Sequence, residues 1–354
     1  MSVELQNRYS KLVEAKLNAE IVQKDGVVWN NDYEGDPKAG AVKIPVRGKA
    51  TVTSYNKQSG ASKSYADSSF DTLLIDKDYA VNEIIDGYDA DAVPDNIVAD
   101  RLDAAGEALA EQINSDGTAE LLDKATVIGQ SSATTNSNVY ARLVDIGTKM
   151  SKNFVPKNGR WALVNPDTIA LILKSSEFIS ASNLGDEVKQ TGAIGKIAGF
   201  MIFEDATLPD HANIICGHKN WCCRVKEWQK DVHLQGLDGS GAYIGASAVQ
   251  GRKIYDHKVT NSAAVVMDSG VLNPSIAEAT VSTTTTITIT NGTNGTKSKY
   301  RKGTVSGSTT TWGAWTDYDA SAKPTASATD IIEAYSLDAK GVRSGIVSHT
   351  VTAS

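Results

Sequence analysis

Apolar residues near the start of the chain recur at helical rather than strand spacing. Residues 3–24 carry apolar side chains among charged ones, namely Leu5, Leu12, Leu17 and Ile21. This pattern predicts a loose amphipathic helix without capping residues. We expect residues 1–41 to form a mobile N-terminal arm.

The next segment alternates apolar and polar residues with the period of a strand. Residues 42–53 alternate in this way, and residues 70–85 form a second run rich in strand-favouring side chains. The connection over 54–69 is rich in serine and lacks large aliphatic residues. Residues 42–86 therefore predict one long hairpin, which at roughly 3.3 Å per residue reaches about 40 Å.

An isolated two-stranded ribbon is only marginally stable in water, so this hairpin needs a surface to lie on. It could join a larger sheet of its own domain, or it could lie on a neighbouring subunit. The pattern of residues alone leaves both open.

A long amphipathic helix is predicted after Pro94. Apolar residues follow at helical spacing, namely Val98, Leu102, Ala105, Leu109 and Ile113. The other face is acidic and carries Asp100, Asp103, Glu107 and Glu111. Asp95 stands near the N-terminus, where a carboxylate favours the positive end of the helix dipole. A short helical continuation is expected after Gly117.

Residues 138–271 predict a body in which single helices alternate with short strands. A helix ends at Pro156 and Gly159, a buried strand RWALV follows, and a second helix starts at Asp167. Later strands include NIICGH and SAAVVM. This order favours an α+β fold over a regular parallel βαβ series.

The composition changes at about residue 272, where threonine alternation and Asn-Gly turns begin. Residues 272–354 suffice for a small all-β sandwich. Its expected core residues are Trp312, Trp315, Tyr318, Ile331, Ile332 and Tyr335. A flexible Ser/Thr stalk is the alternative, which the tryptophans and regular turns disfavour.

Charge is distributed unevenly along the chain. The 354 residues carry 35 Lys and Arg against 42 Asp and Glu, and this net charge of −7 argues against a general nucleic-acid coat. Residues 64–123 hold 16 acidic residues and only two basic ones, Lys77 and Arg101, so this block alone has a net charge of −14. This acidic block is either a solvated helix face or an electrostatic seam between subunits.

Candidate chemistry is sparse. The CGHKNWCC segment contains Cys216, His218, Cys222 and Cys223, but adjacent cysteines in an extended chain point to opposite faces, so we predict buried thiols rather than a zinc site. No carboxylate pair, nucleophile motif or phosphate-binding glycine loop is present in a convincing context. We therefore expect no enzyme activity and no cofactor. The odd number of cysteines disfavours a disulfide framework. The charges in the first 20 residues disfavour a signal peptide, and the lack of a long apolar run disfavours a membrane span.

The order of these parts resembles the major capsid proteins of tailed bacteriophages, which have the Hong Kong 97-like fold. The resemblance covers roughly residues 1–270 and includes the strings NFVPKNGRWALVNPD, SNLGDEV, GAIGKIAGF and QGRKIYDHKVTNSAAVVM. It implies an extended loop at 42–86, a peripheral domain with a spine helix at 87–137, an axial domain at 138–248 and a return strand at 249–271. Residues 272–354 resemble the immunoglobulin-like domains displayed on capsid exteriors.

By this resemblance the chain is a structural shell subunit that forms pentamers and hexamers around double-stranded DNA without sequence-specific binding. The implied partners are scaffolding, portal and decoration proteins, and the implied location is the virion, after assembly in the bacterial cytoplasm. Inter-subunit contacts would join a basic set on the hairpin to an acidic set on the helix. The sets are Arg47, Lys49, Lys57 and Lys63, and Asp95, Asp100, Asp103 and Glu107.

Two other functions remain open. An encapsulin-like compartment has a similar fold but houses a protein cargo. A carbohydrate-binding surface protein would use the C-terminal domain, with Trp312 and Trp315 as ligand contacts.

Overall fold

The computed structural model describes residues 23–33, 40–46, 52–60, 69–92, 97–176, 195–238, 243–281 and 284–352. The helix expected over 3–24 falls almost wholly outside these ranges. Four of the expected contact residues also lie outside the described residues, namely Arg47, Lys49, Lys63 and Asp95.

The described helices are α1 (Gly87–Ala92), α2 (Ile97–Lys124), α3 (Val139–Lys152) and α4 (Pro166–Leu173). The strands of the first three sheets are β1 (Ala41–Val46), β2 (Ser69–Leu74), β3 (Lys77–Ile85), β4 (Thr126–Ile128), β5 (Arg160–Val164), β6 (Lys196–Ile197), β7 (Phe200–Glu204), β8 (Ala212–His218), β9 (Cys222–Gly236), β10 (Ser247–Val259) and β11 (Val266–Ser269). The C-terminal strands are β12 (Ser275–Val281), β13 (Thr284–Thr290), β14 (Lys297–Ser306), β15 (Thr309–Trp312), β16 (Thr316–Asp317), β17 (Thr325–Ala326), β18 (Ile331–Leu337) and β19 (Val347–Thr350).

The long helix α2 lies on a three-stranded antiparallel sheet with the order β3-β10-β9. Its predicted apolar face is confirmed, because Ala105 packs against Ile85 of β3 and Val249 of β10. The helix runs without interruption through Gly117, so the predicted continuation is part of one 28-residue helix. A single apolar stripe on a helix is buried in this way by one sheet.

The second arm of the hairpin ends earlier than the sequence predicts. β1 and β2 pair in antiparallel register from Ala41 opposite Leu74 to Val46 opposite Ser69. The prediction of one strand over 70–85 is wrong, because the chain leaves the hairpin at Ile75 and Asp76, and β3 pairs with β10 instead. The alternating residues of β3 gain burial under α2 that an exposed ribbon cannot provide.

A mixed six-stranded sheet has the order β4-β11-β8-β5-β7-β6. Helices α3 and α4 cover it, and Leu143, Ile146 and Met150 of α3 pack with Phe200 of β7 in its main core. Parallel and antiparallel pairs occur together, since β5 runs parallel to β7 and antiparallel to β8. The predicted α+β class is confirmed.

The sheets divide the chain differently from the predicted domain boundaries. β9 lies within the expected axial segment 138–248 but belongs to the three-stranded sheet. β11 lies within the expected return segment 249–271 but belongs to the six-stranded sheet, between β4 and β8. All four residues of β11 are buried, so it requires a central position with neighbours on both sides.

The C-terminal region has two sheets, β12-β13-β17 and β15-β14-β18-β19 with β16 beside β14. They share a core of Ile287, Ile289, Ala326, Ile332, Ala334 and Val351. The region therefore consists of two sheets around a common core, and its assignment as an immunoglobulin-like sandwich stays a prediction. The predicted core residues are found there in part. Ile332 is fully buried in this core and Tyr318 packs against it, but Trp312 is exposed.

This region is docked on the body rather than tethered by a stalk. Val342 is fully buried in the core cluster that contains Leu121 of α2 and Met267 of β11. The Arg343 guanidinium donates a hydrogen bond to the carbonyl oxygen of Ala125, just after α2 ends. The loop that carries both residues thus joins the sandwich to the shared core.

Candidate assembly surface

The hairpin has one face on its own body. Directly paired residues of antiparallel strands share a face, so Val42 and Ile44 lie on the same side as Leu73. Ile44 and Leu73 are buried with Cys223 and Val225 of β9. The hairpin base therefore already has an apolar support within the subunit.

An ion pair fixes this docked base. Lys258 of β10 donates to Asp71 Oδ1 at 2.6 Å and to the Thr72 carbonyl oxygen at 2.8 Å. Both contacts join β10 to β2, so the hairpin emerges from the subunit at a defined position.

The opposite face of the hairpin exposes large apolar side chains on both sides of the Lys43–Thr72 pair. Pro45 pairs with Phe70, and Ala41 pairs with Leu74. Phe70 is 58% exposed and Leu74 is 68% exposed. Large apolar side chains that share an exposed face are typical of a surface that a partner covers.

The basic candidate Lys57 lies further along the hairpin segment. It is exposed within a tight turn in which Asn56 and Gly60 exchange backbone hydrogen bonds at 3.1 and 2.7 Å. Exposed Val52 and Tyr55 precede this turn. The sequence indicated the lysine but not the importance of the apolar residues beside it. They could have been recognised as large side chains in an otherwise polar stretch.

Part of the acidic block is neutralised within the subunit. Arg101 of α2 makes a bidentate pair with Glu83 of β3, and Arg252 of β10 pairs with Asp78. These contacts lie between neighbouring elements of one chain. The block is therefore not wholly available for contacts between subunits.

The described acidic candidates lie along the exposed side of α2. Asp100 and Asp103 are exposed on α2, and Glu107 is partly exposed on the same helix. The structure confirms the helical arrangement of these three predicted contact residues. Their contact with another subunit remains a prediction.

A groove of about 470 Å³ opens between β2, β10 and the C-terminal half of α2. Asp116, Glu120 and Asp256 line it, and none of them forms an ion pair with a described residue. The lysines at its rim are instead paired with other carboxylates, as Lys77 is with Asp76, Lys124 with Asp123 and Lys258 with Asp71.

Burial affects the carboxylates of this groove. It raises the pKa of Glu120, although the Val259 backbone N–H donates to that carboxylate and opposes the shift. Burial likewise raises the pKa of Asp256. A cation brought close to these carboxylates would favour the ionised form of both groups.

The two tryptophans of the C-terminal sandwich flank an arginine. The Arg301 guanidinium carbon lies 4.4 Å from the Trp312 ring centroid and 4.8 Å from that of Trp315. Arg301 also pairs with Glu333 at 2.7 Å, and Trp315 packs edge-on against Tyr335. These contacts give the rings a packing role that the sequence did not reveal. A surface ligand at Trp312 and Trp315 remains a prediction.

The predicted buried thiols are confirmed, because Cys216, Cys222 and Cys223 are all free and buried. Burial raises the pKa of Cys223 to about 11, and it raises the pKa of Cys222 further. His218 Nδ1 accepts from the Asn220 N–H, so this ring nitrogen has a structural role. Within the ranges that the structure describes, no group of three His, Cys, Asp or Glu side chains could hold a metal ion.

No described helix has the length and apolar character needed to cross a membrane.

Comparison with known proteins gives similarity at the level of fold. No protein-family model and no curated protein matches the chain. The structure of Mycobacterium phage Che8 is similar with a TM-score of 0.56 at 20% identity, over 68% of this chain and 89% of that one.

Two further solved structures are similar. The capsid of Cyanophage P-SCSP1u has a TM-score of 0.58 at 14% identity, over 67% of this chain and 85% of that chain. The mature capsid of bacteriophage PhiM1 has a TM-score of 0.54 at 11% identity, over 70% of this chain and 89% of that chain. The chain therefore has the fold of these phage capsid structures.

Proposed function

We propose that this chain is the major capsid protein of a tailed bacteriophage and that it assembles into a closed icosahedral shell of pentamers and hexamers. The fold similarity supports the proposal, and the main observation in its favour is the exposed apolar side chains on one face of the hairpin. Phe70 and Leu74 on that face are exposed to solvent, whereas the other face packs on the body of the subunit. A second copy of the chain would cover this face.

The parts of the Hong Kong 97-like fold map onto the sheets. The hairpin at 42–86 would be the extended loop, reduced at its base to the six paired positions of β1 and β2. The three-stranded sheet with α2 would be the peripheral domain, and the six-stranded sheet with α3 and α4 would be the axial domain. Residues 272–354 would be an immunoglobulin-like domain on the outer surface.

Charge complementarity supports a hairpin contact with a neighbouring subunit. The segment from 43 to 63 contains no acidic residue, and its basic residues are Lys43, Arg47, Lys49, Lys57 and Lys63. The groove carboxylates Asp116, Glu120 and Asp256 and the outer face of α2 are acidic. Because single surface ion pairs contribute only about 0–1 kcal/mol, apolar burial would supply most of the assembly energy. Charge would select the register.

The shell would enclose double-stranded DNA without gripping it, in agreement with the net charge of −7. It would work with scaffolding, portal and decoration proteins, be assembled in the bacterial cytoplasm and reside in the virion. The chain would have no enzymatic role. Closed symmetric arrays make many weak contacts cumulative, so no individual contact needs to be strong.

Negative-stain electron microscopy of the purified chain tests this function. We expect hollow polyhedra or capsomer rings of uniform size. A sample that stays at the mass of one chain at every concentration, with a protease-resistant hairpin, would contradict the proposal.

A further inference from the structure

Residues 23–33, here called the strap, contact the C-terminal part of α2. The Gln23 side chain is fully buried, and its amide donates to Thr118 Oγ1 of α2 at 2.7 Å and to Asp205 Oδ2 after β7 at 3.1 Å. The Trp29 indole N–H donates to Gln23 Oε1 at 3.1 Å. The strap thus connects the helix of the three-stranded sheet to the edge of the six-stranded sheet.

A second set of contacts attaches the strap to β9. Arg224 Nη1 donates to Asp25 Oδ1 at 2.8 Å, and Lys226 Nζ donates to Asp25 Oδ2 at 2.6 Å. The Asn30 backbone N–H donates to the Cys222 carbonyl oxygen at 2.6 Å, and the Asn30 carbonyl oxygen accepts from the Arg224 N–H at 2.8 Å. Arg224 is therefore the main residue that holds the strap.

His257 of β10 holds this arginine in place. Arg224 Nε donates to His257 Nε2 at 2.8 Å, and the histidine is only 4% exposed. Arginine has no acceptor atom, so His257 must be neutral with its proton on Nδ1. Its Nδ1 is buried and has no hydrogen-bond partner among the residues that the structure describes. The ring also packs against Trp29, with 4.6 Å between the centroids.

We propose that His257 is a proton-controlled release for the strap. A proton on Nε2 removes the acceptor for Arg224 and places two cations at hydrogen-bonding distance. The Arg224 guanidinium then has to move, and with it the ion pair to Asp25 and the contact with the Trp29 ring. The backbone hydrogen bonds between Asn30 and β9 lose this support. The strap opens while the sheets on either side stay folded.

Both cations and carboxylates surround the imidazole. Arg224 of β9 contacts the ring directly, and the charge of Lys77 of β3 acts on it. Asp25 of the strap and Lys226 of β9 are linked to it through Arg224, and Asp116 and Glu120 of α2 line the same groove as His257. On its own strand Tyr255 donates to Asp116 Oδ2 at 2.8 Å, and Asp256 accepts from the His257 backbone N–H at 2.7 Å.

Burial lowers the pKa of His257 well below its usual value, and the charges of Arg224 and Lys77 lower it further. A histidine whose pKa is depressed in the closed state binds protons better once the strap has opened. Closure is therefore favoured fully above pH 6.5, the usual pKa, and is progressively lost as the pH falls below it.

The linkage sets the size of the effect. For one proton, the equilibrium constant for strap opening rises by up to about tenfold for each pH unit below 6.5, until the closed-state pKa is reached. Glu120 and Asp256 have raised pKa values and therefore add stability as they protonate at acid pH. The variants below separate their contribution from that of His257.

Hydrogen–deuterium exchange of the full chain between pH 7.5 and pH 5.0, corrected for intrinsic exchange rates, tests the proposal. Peptides that cover the strap should lose protection by up to about tenfold per pH unit below 6.5. Peptides from β5 and β18 should keep theirs. His257→Gln keeps an acceptor at both pH values and should flatten the profile of the strap, whereas His233→Gln should leave it unchanged.

Three results would overturn the proposal. The strap could keep equal protection at both pH values in the wild-type chain. The β5 and β18 peptides could lose protection together with it, which would indicate global unfolding. The His257→Gln variant could retain the full pH dependence. If the glutamine variant does not fold, the first two results on the wild-type chain still decide, and Asp25→Asn should open the strap at pH 7.5.

Discussion

Gly117, in the C-terminal part of α2, lies so close to Gln23 that a Cβ on this glycine would come within 2.7 Å of Gln23 Oε1 and within 3.0 Å of the Trp29 ring. A glycine inside a helix costs about 1 kcal/mol relative to alanine. The close approach of the strap explains why the helix contains one here. The same helix contains Gly106, which has no atom within 4 Å of an added Cβ.

These two glycines form a matched pair for mutation. Gly106→Ala should raise the free energy of unfolding by about 0.5–1 kcal/mol, because alanine is the better helix former and has open space. Gly117→Ala should lower it and should increase protease cleavage within the strap. Urea unfolding and limited proteolysis measure both effects. Equal stabilisation by the two substitutions would show that the strap does not pack under α2.

The buried pair of Arg142 and Asp268 should be important for the stability of the six-stranded sheet. Arg142 Nη1 donates to Asp268 Oδ1 at 2.9 Å, and both side chains are almost completely buried. Asp268→Ala should cost about 3–5 kcal/mol, because it leaves a buried guanidinium without its counter-ion. Glu83→Gln, which breaks an exposed pair, should change the free energy of unfolding by at most about 1 kcal/mol. Chemical denaturation compares them, and equal losses would contradict this reasoning.

Docking of the C-terminal sandwich depends on a contact between two glycines. A Cβ on Gly345 would approach the Gly129 Cα within 2.1 Å, whereas a Cβ on Gly313 would meet only the Lys302 carbonyl oxygen at 3.4 Å. Gly345→Ala should displace the loop that buries Val342 and make it susceptible to protease. Gly313→Ala should not. Resistance of this loop in both variants would mean that the sandwich docks without this close contact.

The charge contact of the proposed assembly can be tested by a swap. Lys57→Glu should slow shell assembly, and Glu120→Lys in the same chain should restore part of the rate. Lys297→Glu in the sandwich has the same change of charge and should have little effect. Light scattering at low and high salt measures the rates, and the wild-type rate should fall as salt screens the contact. A Lys57→Glu rate equal to the wild type would exclude this role for the lysine.

Elements defined by local periodicity were predicted well. The apolar spacing through Ala105 and Leu109 gave α2, and the uninterrupted apolar run around Leu163 gave the buried strand β5. The helical spacing repeats over several turns of α2, and every residue of β5 is buried, so in both cases the local pattern is enough to identify the element. The α+β class followed from the order of such elements.

Features set by distant partners could not be predicted. The break between β2 and β3 depends on β10, whose Ile254 pairs with Asp78 across more than 170 residues. The position of β11 likewise depends on its pairing of Val266 with Cys216. Nothing near these residues in the sequence reveals their partners.

The candidate site was predicted in part. Charge counts led to Asp100, Asp103 and Glu107 on the exposed side of α2, but they could not show that Arg101 and Arg252 already neutralise other acids of the block. Trp312 and Trp315 were expected in the core because they are large and apolar. The structure places them around Arg301, a contact that depends on strand register.

The central claim is that a second copy of the chain covers the outer face of the hairpin. The most direct measurement is analytical ultracentrifugation of the Phe70→Ser/Leu74→Ser double variant, with Ile346→Ser, an exposed residue of the sandwich, as the control. We expect the double variant to keep the wild-type melting temperature but to sediment as single chains or small oligomers, while the control forms complete shells. Complete shells from the double variant, in wild-type yield, would contradict it.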